Sequence, residues 1–139
     1  MKNFILAFLS IGLITVLSGF TWNEISKSKS QLTISWEFKN VDKVYDHENK
    51  CKVWIDGQYA GESSEAKETR PNSIKINTSQ GSHEIKIMNY SFYEGKWEEH
   101  TLANDFGINC VFEEWLELKK KTKLKIIFDM NEGVTYSVE

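Results

Sequence analysis

The stretch VWIDGQYAGESS, residues 53–64, decides how the rest of the chain is read. Asp56-Gly57 falls between two runs of strand-forming residues. That dipeptide is a strong signal for a tight hairpin, because a type I′ turn needs positive φ at both central positions. A two-residue turn sets Ile55 opposite Gln58, Trp54 opposite Tyr59 and Val53 opposite Ala60. Side chains alternate along a strand, so Val53, Ile55 and Ala60 are expected on one face and Trp54 and Tyr59 together on the other. Two large aromatics turned away from the expected core are the candidate binding residues.

Outward from this hairpin, the period is two almost throughout. In QLTISWEFKN, Leu32, Ile34, Trp36 and Phe38 alternate with polar residues, as a half-buried strand requires. VDKVYDHENK is expected as a connection, and GESSEAKETRPNS as an exposed loop or a single helical turn. Ile74 and Ile76 mark a short strand, and Ile85 and Ile87 another. Glu94-Gly95 predicts a turn that pairs Phe92 with Trp97 and Ser91 with Glu98. INCVFEEWLEL reads as a strand by the phase of Cys110, Phe112, Leu116 and Leu118, while Phe112, Trp115 and Leu116 also have helical spacing. At the C-terminal end a three-residue turn, Asn131 to Gly133, is expected to set Met130 opposite Val134 and Phe128 opposite Tyr136. About seven to nine short strands and no long helix after the N-terminal segment predict an all-β fold, an antiparallel immunoglobulin-like β-sandwich.

The N-terminal segment has a different composition. A basic start is followed by a charge-free run, Phe4 to Trp22, with small residues at Ser18 and Gly19. This is the pattern of a secretory signal, and it also just reaches the length of a membrane-spanning helix. The expected organisation is a signal peptide or membrane anchor at 1–20, a polar tether at 21–30 and the β-sandwich at 31–139. The protein is thus expected to be secreted or periplasmic, held at a membrane only if residues 4–22 are retained. In such an oxidising compartment the two cysteines, Cys51 and Cys110, are candidates for a structural disulfide. It would close a loop of near 60 residues, stabilising by about 4 kcal/mol on the chain-entropy account. The net charge of −3 argues against nucleic acid as a partner. The run KKKTKLK, 119–125, is expected as a solvated turn.

Asp56, Gly57, Gly61, Gly81 and His83, with the alternating apolar residues around them, resemble the pattern of the PEGA-type domain. The resemblance covers about residues 51–90. The stretch between Gly61 and Gly81 is longer than that family usually carries, and Cys110 lies outside the motif. The resemblance implies an extracytoplasmic β-sandwich module without catalytic residues.

No other signal points to chemistry. His47, His83 and His100 lack the spacing of a metal site, and no metal or other cofactor is expected. Glu98-Glu99 and Glu113-Glu114 are adjacent pairs, which a strand turns to opposite faces, so neither converges on a substrate. There is no nucleophile elbow and no phosphate loop. The sequence is therefore expected to encode a non-catalytic, secreted or periplasmic binding module for a protein or glycan partner. The alternative is an assembly subunit that uses sheet edges or an aromatic face, and a small hydrolase is the least favoured reading.

Overall fold

A computed structural model describes residues 28–139. The expected signal or anchor at 1–20, and most of the tether, lie outside the described residues. Among the described residues the fold is all-β with two sheets, as alternation predicted. There are ten strands: β1 (Lys29–Lys39), β2 (Glu48–Ile55), β3 (Gln58–Glu62), β4 (Ala66–Lys67), β5 (Asn72–Ser79), β6 (Gly81–Tyr93), β7 (Lys96–Glu99), β8 (Val111–Leu118), β9 (Lys121–Asp129) and β10 (Gly133–Val138). No helix among the described residues is long and apolar enough to cross a membrane.

One sheet has the order β10-β9-β1-β5. The other is built around β6, which pairs with β2 on one side and with β7 and β8 on the other, while β3 and β4 extend it beyond β2. The fold is not purely antiparallel, because β1 and β9 run parallel, with Ile34 opposite Leu124. A parallel pair needs a long crossover. Here the entire second sheet lies between the two strands in sequence.

The core is the inward phase of each strand. Leu32, Ile34 and Trp36 from β1 meet Leu124, Ile126 and Phe128 from β9 and Val53, Ile85 and Ile87 from the other sheet. All of these are buried. Burying such a side chain fully contributes about 1.5–3 kcal/mol, so strict alternation fixes the faces. Trp36 also donates its indole N–H to Asn49 Oδ1 across the sheets at 3.3 Å.

The hairpins follow their turn chemistry with two corrections. Asp56 and Gly57 have φ of 51° and 75°, the pair of positive values a type I′ turn requires. Ile55 faces Gln58 and Trp54 faces Tyr59 as expected, but Val53 faces Gly61. The extra residue on β3 is a bulge, which shifts the register beyond Trp54. Glu94-Gly95 makes the second hairpin with the expected pairs, Phe92 with Trp97 and Ser91 with Glu98. In the last hairpin Gly133 pairs with Asp129 and Val134 with Phe128, two residues away from the expected register. The cause is Asp129, whose Oδ1 accepts from the backbone N–H groups of Asn131 and Glu132 and closes the turn one residue earlier. A shift of two keeps every side chain on its face.

One expected strand holds and two segments differ from expectation. The segment 111–118 is a strand, β8, with Phe112, Leu116 and Leu118 buried. Lys121 to Lys125 are not a turn but the start of β9, with the lysines exposed and Thr122 and Leu124 buried. The stretch expected as an exposed loop holds β4, which pairs with Glu48 and Asn49, and buries Ser63 and Glu68.

The expected disulfide is not formed: Cys51 and Cys110 are both buried free thiols. Cys51 pairs with Asn89 of β6, and the Asn89 N–H bonds the Cys110 carbonyl on the other side of that strand. The cysteines thus flank β6 in one sheet instead of facing each other across two. Two strand spacings amount to roughly 9–10 Å, beyond the Cα separation of about 7 Å that a disulfide can bridge. The Asn89 amide stands next to Cys51, donating to its Sγ at 3.4 Å. Burial pushes the Cys51 thiol up to about 12 and raises Cys110 as well.

Candidate functional site

The predicted pair lies on the outer face of the β6 sheet. Trp54 and Tyr59 meet edge to face, with ring centroids 6.1 Å apart. Tyr59 is 57% exposed and Trp54 is half-buried. Around Trp54 a shallow groove of about 520 Å³ is lined by Glu84, Lys86, Met88 and Tyr90 of β6, with Glu113 of β8 and Glu99 of β7. All belong to the same sheet, so the groove is floored by strands and open above.

The face continues past the predicted pair. Phe92 packs against Trp97 at 5.4 Å, and Trp115, opposite Glu84, is 66% exposed. Lysines thread between the rings. Lys52 Nζ lies 4.4 Å from the Tyr90 ring centre and Lys50 Nζ lies 4.6 Å from that of Trp97. Each is a cation–π contact. Lys86 pairs with Glu113 at 3.0 Å, and the Tyr90 hydroxyl donates to Glu99 at 3.2 Å. Burial and the Glu99 carboxylate raise the Tyr90 pKa, so its hydroxyl keeps its proton. The result is a sheet face of aromatic rings in a frame of paired charges. The outward phase of β6 is the signal that could have extended the predicted site beyond Trp54 and Tyr59. Met88, Tyr90 and Phe92 follow one another in it at period two.

A second polar constellation was not legible in the sequence. Glu68, Ser91 and His100 are nearly solvent-free and meet inside the sandwich. The Ser91 hydroxyl donates to Glu68 Oε1 at 2.8 Å, and His100 Nδ1 lies 2.9 Å from the same hydroxyl. His100 Nδ1 is 3.3 Å from Glu68 Oε1, and His47 Nδ1 is 3.6 Å from Glu68 Oε2. This is not a hydrolytic triad. In a triad the serine bonds one ring nitrogen and the acid the other, whereas both meet the Nδ1 edge here. The residues are 9 to 32 positions apart in the chain, and no spacing motif joins them. No three or more His, Cys, Asp or Glu among the described residues are grouped to hold a metal.

His83, the third histidine, ties turns together. Its Nδ1 donates to Asp56 Oδ2 at 2.7 Å, and its Nε2 lies 3.1 Å from the hydroxyl and carbonyl oxygens of Ser79.

No protein-family model matches the chain, and no curated protein matches its sequence. Among solved structures it is similar to a "putative cell adhesion protein" from Bacteroides ovatus, at 7% identity and a TM-score of 0.41. That likeness covers 81% of this chain and 44% of the other, so the chain spans less than half of that protein's length.

Proposed function

We propose that this protein is a non-catalytic, extracytoplasmic binding module, and that the outer face of the β6 sheet is its binding surface. The observation that carries the reading is the open aromatic pair Trp54 and Tyr59, continued by Tyr90, Trp97 and Trp115 across one sheet face. Large apolar patches on monomers are uncommon unless they meet something. Aromatic rings give flat stacking area, and the interleaved lysines and glutamates give hydrogen bonds at its margins. A glycan chain or a protein of the cell envelope has the matching chemistry. The charge-free run Phe4 to Trp22 supports export, and the Asp56-Gly57, Gly81 and His83 pattern supports kinship with PEGA-type modules.

The test is binding of the purified protein to peptidoglycan and to a panel of soluble polysaccharides by co-sedimentation and affinity electrophoresis. Retention that Trp54→Ala or Tyr59→Ala weakens is the expected result. Retention that neither change affects would remove the sheet face from the proposal.

A second reading is assembly through the edges of the four-stranded sheet. It is favoured by β10, an edge strand with Tyr136 and Val138 about half exposed. An open edge is a template for pairing with another chain. Sedimentation that shows only monomer at micromolar concentration would exclude it.

A further inference from the structure

The outer face of the four-stranded sheet is strongly basic, in a chain whose net charge is −3. The outward phase of β1, β5 and β9 presents Lys29, Lys75, Lys121, Lys123 and Lys125, all exposed. The register draws them together: Lys75 and Lys123 flank Thr33, while Lys121 and Lys125 lie beside Gln31 and Ser35. Two carboxylates share the face. Glu37 pairs with Lys125 at 3.2 Å and Glu139 with Lys123 at 3.9 Å. Lys29, Lys75 and Lys121 form no ion pair among the described residues. The exposed large apolar residues of this sheet, Tyr136 and Val138, lie opposite Ile126 and Leu124 and so share the phase of the core. The outer face is therefore flat, polar and positive.

The place where the chain enters this sheet is the second, independent observation. β1 begins at Lys29, and its start is tied to the β8–β9 turn. Ser30 Oγ donates to the Lys119 carbonyl at 2.6 Å, and the Gln31 N–H donates to the Lys120 carbonyl at 3.0 Å. Lys119 and Lys120, both exposed, thus add to the basic surface at the entry point. The charge-free run Phe4 to Trp22 ends only seven positions before Lys29. Seven residues span at most about 25 Å. With that run seated in a bilayer, the basic end of the sheet stays within this reach of the lipid headgroups.

We propose that the outer face of the four-stranded sheet docks on an anionic lipid bilayer, the one that holds residues 4–22, with its lysines against the headgroup phosphates. Lysine meets phosphate as a point charge, so a flat array of lysines suits a flat anionic surface. With no apolar side chain to insert, the contact is electrostatic and stays at the headgroups. Docked in this way, the sandwich turns the aromatic face of the β6 sheet away from the bilayer. The proposal rests on residues 4–22 staying attached and does not depend on what the aromatic face binds.

The experiment is cell-free synthesis of the full chain into vesicles of phosphatidylcholine alone, or of phosphatidylcholine with phosphatidylglycerol. Brief acetylation and peptide mass spectrometry then give a labelling rate for each lysine. The expected result is slower labelling of Lys29, Lys75, Lys121 and Lys123 when phosphatidylglycerol is present. Lys86 and Lys96, on the other sheet, should keep their rates. Salt at about 0.5 M shortens the screening length to roughly 4 Å and should restore the rates without any variant. Lys75→Gln/Lys121→Gln/Lys123→Gln should free Lys29 and Lys125, since each lysine at an anionic surface strengthens the contact by about fivefold and three by about a hundredfold. Three results would overturn the proposal. The first is equal rates in the two kinds of vesicle. The second is equal protection of Lys86 and Lys96. The third is the same protection by soluble polyphosphate with phosphatidylcholine vesicles, which would give the face to an anionic polymer instead.

Discussion

His83 and Asp56 are hydrogen-bonded at 2.7 Å, 27 residues apart in sequence, and this contact fastens the tip of the β2–β3 hairpin to β6. Asp56 Oδ1 also accepts from the Glu84 N–H at 3.0 Å, and the Asp56 N–H donates to the Glu84 carbonyl at 2.9 Å. The residue that permits the turn therefore also locks it to the neighbouring strand. The Gly-x-His signal in the sequence reflects this lock.

Asp56→Ala should lower stability by about 1–3 kcal/mol, since it leaves the largely buried His83 without its acceptor and puts a Cβ-only residue at positive φ. Asp56→Asn should cost less, because asparagine tolerates positive φ and keeps an acceptor. Urea unfolding measures both. Equal losses would mean that the backbone conformation alone matters.

The thiols give a pH prediction. Both cysteines are raised by burial, Cys51 to about 12, against an unfolded value of about 8.5. Folding then favours the protonated form. Stability is intact below about pH 8.5 and declines as pH rises from there towards 12, because only the unfolded chain ionises freely. Cys51→Val/Cys110→Val should flatten that alkaline decline. Thiol titration of the native protein should give no reaction, and after unfolding it should give both thiols without reductant. A disulfide would give none in either state.

Asp129 gives the opposite limb. The Asn40 amide donates to it at 2.8 Å, and with the Asn131 and Glu132 N–H groups it holds the carboxyl below the usual range. A depressed carboxylate stabilises above its unfolded pKa of about 4, and that contribution is lost as pH falls through the folded value. Asn40→Gly, which keeps the positive φ of 56° without strain, should move the Asp129 carboxyl towards its ordinary pKa, read by carboxyl-carbon NMR. It should also make the acid loss of stability shallower. An unmoved carboxyl would assign the shift to the backbone donors.

How far the sequence could be read follows from the range of each interaction. Turn type and strand face are local: Asp56-Gly57 and Glu94-Gly95 encode their hairpins, and alternation places Leu32, Ile34 and Trp36 in the core. Register is only half local. The Ala60 bulge and the Asp129 turn each moved a pairing that apolar matching had suggested. Partnership between sheets is not local at all. The phase of Cys51 and Cys110 shows that both point inward, but not that β6 runs between them. The Glu68, Ser91 and His100 cluster exists only once β4 is paired alongside β2, and a short polar segment carries no periodicity to announce that.

Two tryptophans separate binding from stability. Trp36 is 1% exposed and bonded to Asn49, so Trp36→Ala should cost about 3–5 kcal/mol. Trp54 loses mainly its edge-to-face contact with Tyr59, worth about 0.5–1.5 kcal/mol.

The most direct measurement is therefore the retention of Trp54→Ala on peptidoglycan and the polysaccharide panel, taken beside its urea midpoint. The sheet-face account predicts retention reduced by about tenfold or more at a stability loss near 1 kcal/mol. Wild-type retention in Trp54→Ala, or a stability loss as large as that of Trp36→Ala, would contradict it.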